Sequence, residues 1–173
     1  MKTLLAAFAL MLAAFVPAAA QENTLVMETP HGEVVLALRA DLAPRHAERL
    51  RTLTAQGFYD DVPFHRVIAG FMAQTGDPTG TGAGGSDLPD LAAEFTNTPF
   101  VRGSIGMARS QSPNSANSQF FIVYDRAEWL DGQYTYVGDV VSGMEAIDAL
   151  AKGVDRSGVV PNPDRIVSMR VGG

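Results

Sequence analysis

The most informative segment of the sequence is Phe64-His65-Arg66-Val67-Ile68-Ala69-Gly70-Phe71-Met72-Ala73-Gln74-Thr75-Gly76-Asp77. We expect residues 66–67 and 71–75 to be neighbouring strands joined by a turn. Alternate side chains of a strand share one face, so Arg66 would lie beside Phe71 and Gln74. The stretch therefore predicts a cation held over an apolar surface. A hairpin of an all-β core with a solvated arginine is the alternative interpretation, and these residues alone leave both open.

The chain has 173 residues, enough for a single domain with a substantial core. Its first twenty residues have the pattern of a secretory signal peptide: Lys2, an apolar run over residues 4–16, and small residues up to Ala20. A membrane anchor is the alternative. The run is shorter than the roughly 20 residues that span a bilayer. We therefore expect cleavage after Ala20, a mature domain of residues 21–173, and no membrane span in that mature form.

Charge and composition exclude several classes of function. The formal net charge is -6, and loss of Lys2 with the signal peptide makes it -7, so nucleic acid is not an expected partner. There is no cysteine, which excludes disulfides and thiol chemistry. The three histidines, His31, His46 and His65, are widely spaced, so neither a metal site nor any cofactor is expected. His31 is expected in a turn and His46 at the surface or rim of a helix.

The hydrophobic pattern predicts one mainly β domain. Helices are expected over residues 41–57, where Pro44 suits the first turn, and over residues 144–152. In the first of these, Arg49 is expected on the polar face. Eight short strands are expected over residues 24–28, 34–38, 66–67, 71–75, 103–109, 119–124, 134–141 and 166–171. The predicted fold is a closed eight-stranded antiparallel β-barrel capped by two α-helices, which leaves no exposed edge.

Two polar segments resemble known functional motifs only superficially. Glycines at positions 80, 82 and 85 match a dinucleotide-binding fingerprint by letter, but Leu88-Pro89 follows where a helix should begin. We expect a flexible surface loop there. The serines of residues 110–118 have no histidine and aspartate pattern nearby, so hydrolase chemistry is not expected.

Several blocks, in order and with matching spacing, resemble the cyclophilin-type peptidyl-prolyl isomerases of bacteria. These blocks are the opening stretch, the glycine-rich loop, Met107-Ala108-Arg109-Ser110, Asn117-Ser118-Gln119-Phe120-Phe121-Ile122 and Glu128-Trp129-Leu130-Asp131-Gly132. The resemblance implies the same capped barrel and a catalytic Arg66. It also implies a substrate-binding set made up of His65, Phe71, Met72, Gln74, Ala108, Arg109, Gln119, Phe121, Trp129, Leu130 and Tyr134.

Within that set, the resemblance assigns separate parts. Phe71, Met72, Phe121 and Leu130 resemble the wall of a proline pocket, and Gln74 and Gln119 resemble a hydrogen-bonding ledge together with the backbone of Ala108 and Arg109. Strand alternation alone places one of Phe120 and Phe121 in the core without deciding which. The resemblance selects Phe121 for the site.

The chain departs from well-known eukaryotic members at three positions. Tyr134 replaces a histidine, Arg109 replaces an asparagine, and Val137 stands where those members have a phenylalanine beside the pocket. These departures bear on substrate preference. Trp129 matches the residue that the family associates with cyclosporin sensitivity, so cyclosporin-type cyclic peptides are expected ligands.

Two functions of different classes follow. The first is an exported isomerase, acting in the periplasm or secreted where there is one membrane, as a monomer on unfolded or proline-containing polypeptides. The second is a non-catalytic proline-binding or chaperone module on the same barrel, which could dispense with Arg66.

Overall fold

The computed structural model describes residues 23–172, so the predicted signal peptide lies outside the described residues. The described part contains eight strands, namely β1 Thr24–Thr29, β2 Gly32–Leu38, β3 Arg66–Ile68, β4 Met72–Thr75, β5 Ser104–Met107, β6 Phe120–Val123, β7 Tyr136–Ser142 and β8 Ser168–Val171. It also contains two α-helices, α1 Pro44–Ala55 and α2 Met144–Asp148, and a single 3₁₀ turn, Glu128–Leu130. The prediction of a mainly β domain with two helices is confirmed.

All eight strands belong to one curled antiparallel sheet, but that sheet does not close. The order is β3-β4-β6-β5-β7-β2-β1-β8, which leaves β3 and β8 as edges, so the predicted closed barrel is wrong and the sheet is an open half-barrel. Across the gap beside β3, the bridge of Pro63 with Arg165 carries backbone hydrogen bonds from Phe64 N–H to Asp164 O (2.9 Å) and from Ile166 N–H to Val62 O (2.9 Å), but these residues belong to no strand of the sheet.

One face of the sheet holds the main core. Met27, Leu36, Phe120, Ile122 and Val137 are all at most 1% exposed and belong to one contiguous apolar cluster. Helix α1 packs against β8, and α2 packs against β2. This places Val137 in the main core and not beside a pocket, which corrects the expectation drawn from the resemblance.

Helix α1 begins at Pro44 and not at residue 41, and the residue that caps its N-terminus is far away in the sequence. Its N-cap residue, Ala43, offers no side-chain hydrogen bond. The carboxylate of Glu94 accepts instead from the backbone N–H groups of Arg45 (3.3 Å) and His46 (3.2 Å). A carboxylate at a helix N-terminus is favoured by the helix dipole. Glu94 therefore fixes the start of α1 to the loop that precedes β5.

The same loop corrects two expectations about α1. His46 is 0% exposed, and its Nδ1 lies 2.6 Å from Oε2 of Glu94. Arg49 is 8% exposed, and its guanidinium donates to the backbone oxygens of Pro89 and Asn117. Neither side chain is on a solvated face, because the loop covers that side of the helix.

Helix α2 is shorter than expected. It ends at Asp148, and the Nζ of Lys152 donates to the backbone oxygens of Asp148 (2.5 Å) and Leu150 (2.6 Å). A cation that binds the last carbonyl groups stabilises the end of a helix. Within residues 23–172, no helix is both long enough and apolar enough to cross a membrane.

Candidate functional site

A second apolar cluster, on the other side of the sheet from the main core, forms the floor of a cavity. Its buried members include Met72, Phe100, Phe121 and Leu130, and Phe71 packs against them. The cavity above it has a volume of about 660 Å³. Phe120 is 0% exposed in the main core while Phe121 lines this cavity, so the two neighbours point to opposite faces as alternation requires.

The structure brings together eleven of the twelve residues that sequence reasoning placed at the site. The cavity is lined by His65, Arg66, Phe71, Met72, Gln74, Ala108, Arg109, Phe121, Trp129, Leu130 and Tyr134. Gln119 lines the neighbouring cavity of about 580 Å³ instead. Five lining residues were missed: Gly80, Thr81, Gly82, Gln133 and Val159.

Arg66 is held in place by neutral groups on both sides. Register within the β3–β4 hairpin pairs Arg66 with Gln74, and Nη1 of the guanidinium donates to Oε1 of Gln74 (3.2 Å). Nε donates to the backbone oxygen of Ser157 (2.9 Å). No carboxylate among the described residues forms an ion pair with this cation. Its charge is therefore directed towards the cavity without being neutralised.

The segment that supplies Ser157 was not found from the sequence. Gly158 and Val160 pair with the outer edge of β3 through Val67 N–H to Gly158 O (2.7 Å) and Val160 N–H to His65 O (3.1 Å). Gly158 has a φ of +78°, a conformation that glycine adopts readily. The only local signal was the turn-prone run Asp155-Arg156-Ser157-Gly158, and nothing in it indicates the distant strand that it covers.

A chain of side-chain amides connects Arg66 to the glycine-rich loop. Nε2 of Gln74 donates to Oε1 of Gln119 (2.8 Å), and Nε2 of Gln119 donates to the backbone oxygens of Gly82 (3.0 Å) and Gly84 (2.8 Å). The Gln119 side chain is thus occupied by protein partners. Its place in the structure is that of a support for Gln74, and the direct substrate contact implied by the resemblance stays a prediction.

The glycine-rich loop is built around one carboxylate, in contrast to the flexible surface loop expected. Asp77 is 0% exposed, and it accepts hydrogen bonds from the backbone N–H groups of Thr79 (2.8 Å), Gly82 (2.7 Å) and Gly84 (3.1 Å). Burial raises the pKa of Asp77, but hydrogen bonds led by that from the Thr79 hydroxyl outweigh it and lower the pKa to about 2. A Cβ on Gly84 would lie 2.1 Å from the carboxylate, which explains glycine there.

The rim of the cavity is aromatic and cationic. Trp129 is 64% exposed, with its ring centroid 5.4 Å from that of Phe71. Cζ of Arg109 lies 4.5 Å from the centre of the Tyr134 ring, and that ring meets Phe121 edge-on at 5.7 Å. Tyr134 therefore connects the apolar wall to a cation at the rim.

His65 lies buried at the wall of the cavity. His65 is 6% exposed, and burial lowers its pKa, so the neutral imidazole is favoured. Within residues 23–172, no group of three or more histidine, aspartate, glutamate or cysteine side chains is placed to hold a metal ion. The site consists of one fixed guanidinium above an apolar floor, with amides and backbone groups beside it. Such an arrangement can bind a peptide and place charge against it.

Comparison with known proteins identifies the family that has this fold and this cavity. The family model for cyclophilin type peptidyl-prolyl cis-trans isomerase/CLD matches residues 24–171. A probable peptidyl-prolyl cis-trans isomerase of Brucella suis is 52% identical over an alignment of 166 residues, which covers 89% of this chain and 85% of the relative. Peptidyl-prolyl cis-trans isomerase-like 3 of Rattus norvegicus is 38% identical, and the alignment covers 75% of this chain and 82% of that protein.

Solved structures give the same result. A cyclophilin type peptidyl-prolyl cis-trans isomerase of Cryptosporidium parvum, crystallised in the presence of the dipeptide Ala-Pro, matches with a TM-score of 0.80 and 30% identity. The match covers 87% of this chain and 99% of the Cryptosporidium parvum chain. A cyclophilin of Hirschia baltica matches with a TM-score of 0.78 and 26% identity, covering 87% and 74%. The chain therefore belongs to the cyclophilin family of peptidyl-prolyl cis-trans isomerases.

Proposed function

We propose that Arg66 is the catalytic residue of this isomerase and that the enzyme assists the folding of exported proteins. The reaction breaks no covalent bond. It rotates an Xaa-Pro peptide bond against a barrier of roughly 18–20 kcal/mol set by amide resonance. The uncatalysed change takes on the order of tens to hundreds of seconds. Reaching milliseconds requires about 10⁵-fold, or roughly 7 kcal/mol.

The position of Arg66 suits this task. Twisting the bond localises a lone pair on the prolyl nitrogen, and a guanidinium aimed at that nitrogen binds the twisted amide better than the planar one. A hydrogen bond to a charged group contributes about 1.5–3 kcal/mol, so Arg66 accounts for one to two decades of rate. The planar fork can bind Gln74 and Ser157 while still presenting N–H groups to substrate, which a lysine could not do.

The apolar floor supplies much of the remainder. A twisted amide has less charge separation than a planar one, so it is favoured against Phe71, Met72, Phe121 and Leu130. The same wall would hold the proline ring, and backbone groups at Ala108 and Arg109 lie beside it to hold the flanking chain. A relative crystallised with Ala-Pro supports a proline-containing ligand for this cavity. No nucleophile, general base or metal is needed for a bond rotation.

One observation carries the assignment: the Arg66 guanidinium is fixed by two neutral acceptors at the wall of an apolar cavity. The test is a cis/trans assay on an Xaa-Pro tetrapeptide with Arg66→Ala, for which we expect kcat/KM to fall at least about tenfold. Arg170→Ala is the matched control, because Arg170 pairs with Glu33 on the sheet away from the cavity. Equal rates for wild type and Arg66→Ala would overturn the role of Arg66.

The second candidate is a non-catalytic proline-binding module on the same half-barrel. A binder has no need for a cation held by Ser157 and Gln74, and this fixed geometry favours the enzyme. The two are separated by measuring peptide binding alongside turnover. Binding of proline peptides by wild type with no acceleration of isomerisation would establish the module instead.

The proposed location is the periplasm, or the exterior of a cell with one membrane. Support comes from the leader pattern of residues 1–20. The test is N-terminal sequencing of the protein recovered by osmotic shock, where we expect a first residue within one or two positions of Gln21. A cytosolic protein that begins at Met1 would contradict export.

A further inference from the structure

The cavity carries two arginines whose charges are not matched by carboxylates. Within residues 23–172, seven arginines form ion pairs: Arg39, Arg45, Arg51, Arg102, Arg126, Arg165 and Arg170. The two arginines that line the cavity, Arg66 and Arg109, form none with any described carboxylate. No aspartate or glutamate lines that cavity either. In a chain of formal net charge -6, this is a local excess of positive charge at a peptide-binding surface.

Arg66 is accounted for by the reaction, but Arg109 is not. Its guanidinium donates only to backbone oxygens, those of Gln133 (3.0 and 3.2 Å), Ser110 (2.9 Å) and Gln111 (3.4 Å). It stacks on Tyr134 at 4.5 Å, and the Phe95 ring lies 6.0 Å away. These contacts fix the guanidinium in place while leaving its charge without a neutralising partner.

Arg109 also stands where a bound chain would leave the apolar floor. It lines both the 660 Å³ cavity and the adjacent 580 Å³ cavity, as do Gln74, Gly82 and Ala108. A chain whose proline occupies the first cavity and that continues into the second passes Arg109. Because Arg109 itself lines the first cavity and each extended residue advances about 3.3 Å, the side chain that meets Arg109 belongs to a residue within about two positions of the proline.

We propose that Arg109 is a specificity-determining residue that selects prolyl substrates with a carboxylate side chain within two residues of the proline. A guanidinium that is already oriented and stacked binds a carboxylate with little loss of side-chain freedom. The nearby Asp90 lines only the second cavity, so an acidic side chain at the rim of the first meets Arg109 and Arg66 before any like charge. The inference rests on the isomerase function proposed above.

The experiment compares matched peptide pairs. Proline tetrapeptides carry glutamate or glutamine two residues before, one residue before or one residue after the proline, and kcat/KM is measured for each pair. At one position at least, we expect wild type to prefer glutamate by about three- to fivefold, the effect of a well-placed, partly exposed ion pair. The preference should shrink towards unity at 1 M salt, where the screening length falls to about 3 Å.

Variants assign the preference to the side chain. We expect Arg109→Gln to abolish the glutamate-to-glutamine ratio, Arg109→Lys to keep part of it, and Arg170→Gln, which removes the same charge away from the cavity, to leave it unchanged. The ratio within one protein cancels any general loss of activity. If Arg109→Gln is inactive, the glutamate-to-glutamine ratio of Arg109→Lys decides, because lysine keeps the charge but lacks the planar fork; an unchanged ratio in that variant would overturn the role of Arg109.

The outcomes separate the two proposals. Turnover of glutamine peptides with no glutamate preference at any position overturns the selectivity and leaves the isomerase standing. A preference that survives Arg109→Gln overturns the role of Arg109. Failure to accelerate any proline peptide overturns the isomerase, and the selectivity with it.

Discussion

At the scale of single residues, Gly106 decides whether the cavity floor can form. It lies on β5 opposite Phe121 of β6. A Cβ there would lie 2.3 Å from Cζ of Phe121 and 2.8 Å from Cε1 of Phe100. Those two rings stack with centroids 5.9 Å apart. The absence of a side chain at Gly106 therefore lets the two rings lie against the strand.

We expect Gly106→Ala to displace the Phe121 ring, to reduce kcat/KM, and to cost about 1–3 kcal/mol of unfolding free energy from overpacking. Urea unfolding and the tetrapeptide assay measure the two effects. Gly70→Ala is the comparison, because a Cβ there meets nothing within 4 Å and its cost comes only from backbone strain at a φ of +73°. Activity of Gly106→Ala equal to that of Gly70→Ala would show that the floor tolerates the methyl group.

At the scale of elements, the site joins segments that lie far apart in the sequence. The hairpin of β3 and β4 carries Arg66 and Gln74, and β6 carries Phe121. The glycine-rich loop is connected to Arg66 through Gln119 and Gln74. Asp77 sets the shape of that loop, so its carboxylate supports the orientation of the guanidinium without touching a substrate.

We expect Asp77→Asn to lower the unfolding free energy by about 1–3 kcal/mol, since an amide cannot replace all the hydrogen bonds that the carboxylate accepts. The lowered pKa of Asp77, about 2, means that its contribution is full above the unfolded value near 3.8 and is lost as pH falls towards 2. The stability difference between wild type and Asp77→Asn should therefore shrink over that window.

Denaturant midpoints between pH 5 and pH 2 measure this effect. Asp87→Asn is the control, because it removes the same charge from an exposed position nearby. A wild-type advantage over Asp77→Asn that stays constant down to pH 2 would contradict the assignment. We also expect Asp77→Asn to lower kcat/KM, because the support of Gln119 is weakened.

At the scale of the whole molecule, two buried histidines make stability depend on pH. Burial lowers the pKa values of His46 and His65, and for His46 it does so despite the neighbouring Glu94. Both rings are thus neutral in the folded protein at a pH where the unfolded chain binds protons. Because the two histidines bind protons more readily in the unfolded chain, the free energy of unfolding is highest above about pH 6.5 and decreases as the pH falls below that value.

We expect the midpoint of urea unfolding to decrease between pH 7.5 and pH 5.5. The change of this midpoint with pH should be smaller in His46→Gln and in His65→Gln. This dependence of the midpoint on pH is informative even where a variant lowers stability at every pH. His31→Gln is the control, because His31 lies at the surface beside Asp164. A wild-type midpoint that does not change across this range would contradict the prediction.

Sequence reasoning succeeded where the signal is local and failed where it is distant. The spacing of Arg66, Phe71 and Gln74 is a property of one hairpin, and strand alternation with a resemblance separated Phe120 from Phe121. The partners of polar groups come from elsewhere in the chain: Glu94 for the buried His46, and Ser157 for the partly buried Arg66. No local pattern indicates them. The predicted closed barrel failed for a related reason, since closure depends on how two edge strands meet.

Because residues 157–160 cover β3, the structure around Arg66 forms late during synthesis of the chain. Arg66 and the carbonyl group of Ser157 that orients it are 91 positions apart. A nascent chain released before residue 157 would contain the hairpin, the apolar floor and the glycine-rich loop, but its guanidinium would lack one of two anchors. The geometry around Arg66, the proposed catalytic residue, is thus completed only when residues 157–160 have been translated and have docked on β3. Shorter chains can collapse without holding this guanidinium in place.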